Sequence, residues 1–350
     1  MKALLLAGGL GTRLRPLTEQ MPKPMAPVGN RPWIEHLVRQ LRDQGVREFV
    51  LALKHYPDLI RNHLGDGKKW GVSIEYVIED ETLGTAGAIK NAESLLGDCF
   101  LVFNADIVQH MNIKPLIQYH QERQATVTIG LTEVEDPSSF GVVDISETGR
   151  IARFVEKPKS GEAPSKLINA GIYVMNKEAL SYIPAGREVS IERETFPLLI
   201  EAGEGVYGFT MTGYWLDMGT RERYRQVHWD LLDRKLKLPL PGKEKTSGIW
   251  TGNSCRIGDG ALLIPPVVIG NRVQIGDKAI IGPYTVIGDD CRIANNTRLS
   301  ETILWDGCHV REGAQLYQCV FGFGSEIGSR HILYEAFAHR IKEEEEEITV

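Results

Sequence analysis

The sequence predicts an α/β domain built on a mixed, mostly parallel sheet, followed by a left-handed parallel β-helix. Three observations carry this. Over the first two-thirds of the 350 residues, short apolar runs alternate with segments of helical spacing, as in a mostly parallel sheet with helices on both faces. From Ile257 to Leu299 a branched aliphatic residue recurs every six positions, a period that neither a helix nor a flat sheet produces. The first apolar run, Leu4-Leu5-Leu6, opens into the glycine-rich turn Ala7-Gly8-Gly9-Leu10-Gly11-Thr12-Arg13, and in such sheets ligands sit at the carboxyl ends of strands.

The elements follow in chain order. Lys2 to Leu6 reads as a buried strand. Pro32 at a first helical turn, then Trp33, Ile34, Leu37, Val38 and Leu41, ending at Gly45, reads as an amphipathic helix. Phe49 to Leu53, Ile74 to Ile78 and Cys99 to Phe103 are further short strands. Leu116 to Tyr119 fits a helix and Thr126 to Leu131 a strand. The stretch Leu238-Pro239-Leu240-Pro241-Gly242-Lys243 has no periodicity and reads as a linker. Beyond it the hexapeptide period begins, with Gly258, Gly270, Gly276, Gly282 and Gly288 following five of the aliphatics. The phase slips after Leu299, resumes at Leu304, Val310 and Leu316, and resumes again at Ile327 and Leu333. Leu333, Phe337 and Ile341 then fall at helical spacing before a Glu run at 343–347. Expected domains are therefore 1–235 (the α/β domain), 236–250 (linker), 251–335 (β-helix) and 336–350 (a capping helix with an acidic tail that frays).

Composition excludes several classes. The net charge of −6 comes largely from the terminal Glu run, so nothing points to nucleic acid. The five cysteines are odd in number and form no C-x-x-C pair, which argues against a zinc site or disulfide framework and for a reducing compartment. No apolar stretch approaches the length of a membrane span or a signal peptide. A cytoplasmic protein is expected.

The glycine turn is a candidate phosphate cradle. Glycines let a backbone approach a ligand closely, and successive N–H groups form an anion nest. Arg13 and the Lys of Pro22-Lys23-Pro24 add positive charge. A Walker A loop is excluded, since no Lys-Ser or Lys-Thr follows these glycines. A dinucleotide fingerprint is excluded because Leu14 stands where its third glycine belongs. Five further motifs follow in order. They are Leu83-Gly84-Thr85-Ala86-Gly87, Asn104-Ala105-Asp106, Val155-Glu156-Lys157-Pro158, Asn169-Ala170-Gly171-Ile172-Tyr173 and Trp215-Leu216-Asp217-Met218-Gly219-Thr220. Each alone defaults to a loop, a cap or core packing.

Together with the opening Leu6-Ala7-Gly8-Gly9-x-Gly11-Thr12-Arg13 these motifs resemble the sugar-1-phosphate nucleotidyltransferases, over roughly residues 1–225, and the β-helix extends the resemblance along nearly the whole chain. The variety it is most similar to is the mannose-1-phosphate guanylyltransferase branch. The resemblance implies a Rossmann-like nucleotidyltransferase domain and the reaction of a sugar 1-phosphate with a nucleoside triphosphate, giving a nucleotide-sugar and pyrophosphate. It implies Mg²⁺ held by Asp106 and Asp217, since Mg²⁺ takes one or two carboxylates together with phosphates. Arg13 and the amides of Gly8, Gly9 and Gly11, in the segment Leu6 to Thr12, would hold the β- and γ-phosphates. Lys23 would sit near the reacting centre, and Lys157 would hold the sugar phosphate. Glu156 and Asn169 would bind sugar hydroxyls, in a pocket shared with Asn104 and the backbone near Gly141. Gly84, Thr85 and Ala86 belong to the nucleotide loop.

By the same resemblance Glu79, five residues before Gly84, meets the base. A carboxylate only accepts hydrogen bonds, and guanine offers two adjacent donors, N1–H and N2–H. GTP is therefore favoured over nucleotides of uracil or thymine, with Glu81 able to serve if the register differs. Mannose follows from resemblance alone. Thymidylyl, uridylyl or adenylyl transfer to glucose 1-phosphate, and guanylyl transfer to a heptose 1-phosphate, remain alternatives. So does a non-catalytic nucleotide-sugar-binding regulatory subunit, although Arg13, Lys23, Asp106, Lys157 and Asp217 are all retained. A third alternative is acyl transfer by the coil, with His309 or His331 as base. A structural coil that builds a homo-oligomer is favoured over that.

Overall fold

A computed structural model describes residues 1–159 and 161–338. They fall into two compact units: 1–10 with 37–216, and 11–36 with the chain from 217 onward. Among the described residues no helix is long and apolar enough to cross a membrane.

The first unit is built on a nine-stranded mixed sheet. Its parallel half runs Cys99–Asn104, Lys2–Leu6, Glu48–Leu53, Ser73–Ile78 in spatial order. The first three are Leu, Val and Phe-rich and largely buried, as expected where helices cover both faces, whereas the edge strand Ser73–Ile78 carries exposed Ser73 and Glu75. The strand Leu167–Asn176 runs antiparallel to Cys99–Asn104 and to Val127–Glu133, and Val206–Thr210 adds a parallel edge beside the latter. Leu4, Val50, Phe100, Val102, Ile129 and Phe196 lie in one buried core cluster. The expected helix around Leu116–Tyr119 spans Lys114–Glu122. Pro32 does not begin a helix as expected. Arg31–Pro32 pairs antiparallel with Pro27–Val28, and the helix starts one residue later, over Trp33–Asp43. A proline ring is equally at home at the end of a short edge pair, because it has no N–H to leave unpaired.

The β-helix in the second unit consists of three parallel sheets of short strands, stacked coil on coil from Ile249–Thr251 to Phe337–Ala338. Gln274 pairs with Arg292 and Ile275 with Ile293, and one aliphatic per strand turns inward. Ile281, Ile287, Ile293, Leu299, Val310 and Leu316 are all buried in one cluster. The phase slip in the sequence has a simple origin. Early corners repeat at 18 residues, as in Asn271 N–H donating to Asp289 Oδ1, whereas Asp289 N–H reaches Asp306 Oδ1 only 17 residues on. One residue is dropped at a corner and the inward register is kept. Cys291 and Cys308 are buried in the coil interior as free thiols, so they serve as small core residues.

The helix Arg221–Leu232 belongs to the same unit. Tyr224 donates its hydroxyl to Pro27 O and accepts from Trp305 Nε1 at 2.9 Å. Asn30 Nδ2 donates to Ile287 O at 2.7 Å, and Tyr284 donates to Asp233 at 2.8 Å. The segment after the glycine turn is thereby fixed against the coil.

The expectation of a helix through Leu333 and Phe337 is corrected. Leu333 lies in the strand Ile332–Tyr334 and Phe337 in Phe337–Ala338. A four-residue spacing across a coil corner imitates a helical one. The remainder of that expected segment, with Ile341 and the Glu run at 343–347, lies outside the described residues.

Candidate active site

The strand ends of the first unit set out one group of candidate residues. Ala7 N–H continues the ladder to Ala52 O at 2.9 Å, and Ala105 N–H bonds Leu6 O at 3.0 Å. The glycine turn and the Asn104-Ala105-Asp106 segment therefore leave the sheet side by side. Glu79 follows the strand Ser73–Ile78 and is buried, 8% exposed. Its Oε2 accepts Leu83 N–H at 3.2 Å. Burial raises its pKa above the usual carboxylate range, against the pull of that bond and of the Lys54 charge. A Cβ placed on Gly8 would stand 3.4 Å from Glu79 Oε1, so the backbone of the turn runs directly past this carboxylate.

The second glycine loop is locked from behind. Gly84 has φ +68, and a Cβ there would lie 2.6 Å from Val189 O. A residue with a side chain would face both a left-handed conformation and a backbone clash. Thr85 Oγ1 donates to Glu192 Oε2 at 2.9 Å and accepts Ile191 N–H at 2.8 Å. Ala86 is buried and gives its N–H to Val189 O. The Thr85 hydroxyl and the Ala86 amide thus serve the fold of the loop, which starts the helix Gly84–Asn91.

A group of polar residues lies on the antiparallel side of the same unit. Asn169 Nδ2 donates to the Tyr173 hydroxyl at 2.8 Å, and its Oδ1 accepts Gly171 N–H at 2.8 Å. Asn104 Oδ1 is buried with no protein partner, an arrangement that costs free energy unless a bound group satisfies it. Glu156 is half-buried beside Gly141, where a Cβ would come 2.9 Å from its Oε2. Its pKa is raised, chiefly by burial and then by the Glu192 charge, against the pull of Lys157 and Arg193. Lys157 adopts φ 50, unusual for a residue with a side chain. Its N–H donates to Phe140 O at 2.9 Å, while its side chain is 58% exposed and its Nζ stands 3.6 Å from Glu156 Oε1.

The second unit holds a cluster of charge. Lys23 is 3% exposed, and its Nζ donates to Asp217 Oδ1 at 2.9 Å. Arg13 Nη2 lies 3.5 Å and Arg223 Nη1 3.6 Å from Asp217 Oδ2. Burial pushes the Asp217 pKa up, but Lys23, Arg13 and Arg223 together hold it below the usual range. Gly11, in a left-handed turn, lets Lys23 approach; a Cβ there would lie 3.0 Å from that of Lys23. Gly219 does the same beside Arg13 and Asp217, each 2.9 Å from the position its Cβ would take. Three cations converge on this one carboxylate, and Arg and Lys side chains are also the groups that pair with phosphate.

Comparison with known proteins decides the family. The family model for nucleotidyl transferases matches residues 2–234. The chain belongs to the nucleotidyl transferase family. A second model, the GMPPB C-terminal domain, matches residues 251–342. The mannose-1-phosphate guanylyltransferase of Mycobacterium tuberculosis is 36% identical over 314 residues, 89% of this chain and 81% of that protein. The mannose-1-phosphate guanylyltransferase 1 of Arabidopsis thaliana is 35% identical, over 94% of this chain and 88% of its own. Among solved structures, HddC from Yersinia pseudotuberculosis superposes with a TM-score of 0.57 at 30% identity, covering 65% of this chain and 97% of that one. The α/β sheet followed by a parallel coil is thus the architecture of a nucleotidyltransferase with a hexapeptide-repeat domain.

Within this nucleotidyltransferase, Arg223, Glu192 and Lys54 were not singled out by sequence motif. Arg223 had a usable signal. Thr220 caps the helix by accepting Arg223 N–H, and a cation in a first helical turn opposes the helix dipole. Such a residue invites a reason, and Asp217 supplies it. Glu192 and Lys54 become visible only once strands and loops are paired. His309 stands in register with Arg292 and Glu326 on one coil sheet, and Gln315 with Ile332, the residue after His331.

Among the described residues no three His, Cys, Asp or Glu side chains converge as a metal cage. That is compatible with Mg²⁺, which binds through one or two carboxylates and substrate phosphates. Asp217 is partly buried, with its pKa held below the usual range, a donor of the right chemistry, and its surrounding cations match the phosphates that would accompany the metal.

Proposed function

We propose that the chain transfers a guanylyl group from GTP to mannose 1-phosphate, giving GDP-mannose and pyrophosphate. The observation that carries the choice of base is Glu79. It is an acceptor-only side chain, buried beside the backbone of the glycine turn, and it suits the adjacent N1–H and N2–H donors of guanine. The named function of the relatives that align along most of this chain supports the same choice, and supports mannose 1-phosphate as acceptor.

The reaction follows from the charges. An ionised oxygen of the sugar phosphate attacks the α-phosphorus in line, and pyrophosphate leaves. No general base is needed, so the protein's work is positioning and neutralisation. Arg13 and the amides of Gly8, Gly9 and Gly11 hold the leaving pyrophosphate, with Lys23 close to the reacting phosphorus. Lys157 holds the incoming phosphate. Glu156 and Asn169 hold the sugar hydroxyls, and the unpartnered Asn104 Oδ1 accepts from a hydroxyl of the same ligand. Asp106 and Asp217 are the proposed carboxylates for Mg²⁺, which when bound neutralises phosphate charge as it develops.

We further place the reaction in residues 1–235 and propose that the coil, whose strands run from Ile249–Thr251 to Phe337–Ala338, builds a homo-oligomer, in the cytoplasm. Support for a reducing compartment comes from the free thiols of Cys99, Cys255, Cys291, Cys308 and Cys319. Product analysis tests the proposal. With GTP, Mg²⁺ and a panel of sugar 1-phosphates, GDP-mannose is the expected main product by mass spectrometry. A different nucleotide-sugar as main product, with mannose 1-phosphate left unconsumed, overturns it.

A further inference from the structure

Strand register sets a second side chain beside Glu79. Leu6 pairs with Ala52, and Leu53 with Ile78, in parallel strands. Two residues on from the first pair, Gly8 comes level with Lys54. One residue on from the second, Lys54 comes level with Glu79, whose N–H still bonds Leu53 O at 2.8 Å. A Cβ placed on Gly8 would lie 3.5 Å from Lys54 Cβ and 3.4 Å from Glu79 Oε1. The glycine turn is therefore flanked on one side by both an ammonium-bearing stem and a buried carboxylate. The Lys54 charge is felt by its neighbours: it opposes the effect of burial on Glu79 and adds to it in lowering the pKa of His55.

We propose that Lys54 is a specificity-determining residue, donating a hydrogen bond to guanine O6 while Glu79 accepts N1–H and N2–H. The proposal deepens, and rests on, the reading of GTP as the nucleotide. Guanine's edge presents an acceptor followed by two donors, and a lysine beside a carboxylate presents the complement. Lysine or arginine to guanine O6 or N7 is the commonest specific pairing where proteins read guanine in the DNA major groove. The same pair rejects the other bases. Adenine and cytosine place an amino donor against the ammonium and an unprotonated ring nitrogen against the carboxylate. Uracil and thymine satisfy the lysine and one carboxylate oxygen, but set their O2 against the other. Unpaired or repelling groups of this kind carry much of selectivity.

The test measures kcat/KM of the full chain with GTP, 6-thio-GTP and ATP. In 6-thio-GTP both donors for Glu79 are kept while the O6 acceptor becomes a weakly accepting sulfur. Lys54→Met is expected to lose about tenfold or more with GTP, the scale of a hydrogen bond from a charged donor, and clearly less with 6-thio-GTP. Lys54→Arg is expected to keep most of the preference for GTP over ATP. Should Lys54→Met fail to fold by circular dichroism, Lys54→Gln takes its place. An equal loss with GTP, 6-thio-GTP and ATP overturns the assignment, since it would move Lys54 to a phosphate contact or a structural role. Wild-type preference for UTP or dTTP over GTP overturns the reading of the nucleotide itself, and is seen before any variant is made.

Discussion

Lys23 Nζ lies 2.9 Å from Asp217 Oδ1, with the lysine side chain 4% and the aspartate 14% exposed. The two are 194 residues apart in sequence, yet they form a direct charge-assisted hydrogen bond. Breaking one partner of such a pair leaves a buried charge, whereas removing both leaves none. Lys23→Met and Asp217→Leu should therefore each destabilise strongly, and the double variant should be less destabilised than their sum. The coupling read from urea midpoints is expected at roughly 1–3 kcal/mol. Strict additivity would mean that the pair is close but energetically idle.

Activity should respond to the same residue. Lys23→Met is expected to reduce kcat by about a hundredfold or more, as when a charged stabiliser of a developing anion is removed. A change confined to KM for either substrate would place Lys23 in binding rather than at the reacting phosphorus.

Glu79 makes a prediction in pH. Burial, the largest influence, raises its pKa despite Leu83 N–H and Lys54. Only the ionised form accepts from both guanine donors, so KM for GTP should climb as pH falls through that raised value, beginning above the ordinary glutamate range near about 4.3. Glu79→Gln should flatten this dependence and shift preference toward UTP or dTTP by about tenfold. An unchanged base preference in Glu79→Gln would remove Glu79 from base selection.

The coil offers an independent test. Asp306 Oδ1 accepts Asp289 N–H at 2.8 Å, and burial raises the Asp306 pKa to about 6. A carboxyl with a raised folded-state pKa favours folding fully below its unfolded value, near about 4, and that contribution is lost as pH rises through the folded value. Asparagine can accept the same bond, as Asn295 does from Asp277 N–H at 2.8 Å. Asp306→Asn should raise Tm at pH 7.5 and lose its advantage near pH 4. A lower Tm at pH 7.5 would show that the ionised carboxylate is stabilising there.

Much of this was legible in the residues. Period six has one common source, a coil whose inward positions repeat, and the slip after Leu299 marks the corner where a residue is dropped. Leu333 and Phe337 were misleading, because a coil corner reproduces helical spacing over so short a span. In the site, glycines and charged residues in fixed order pointed to Arg13, Lys23 and Asp217. Arg223, Glu192 and Lys54 were not legible as motifs. Lys54 becomes significant through sheet register alone, and register is a property of paired strands, whereas a motif lies in one segment.

The central claim is most directly tested by pyrophosphate release with Mg²⁺ and mannose 1-phosphate, compared across GTP, ATP, UTP, dTTP and CTP. Turnover mainly with GTP is predicted. Turnover mainly with another nucleotide, or with none of the five, would contradict it.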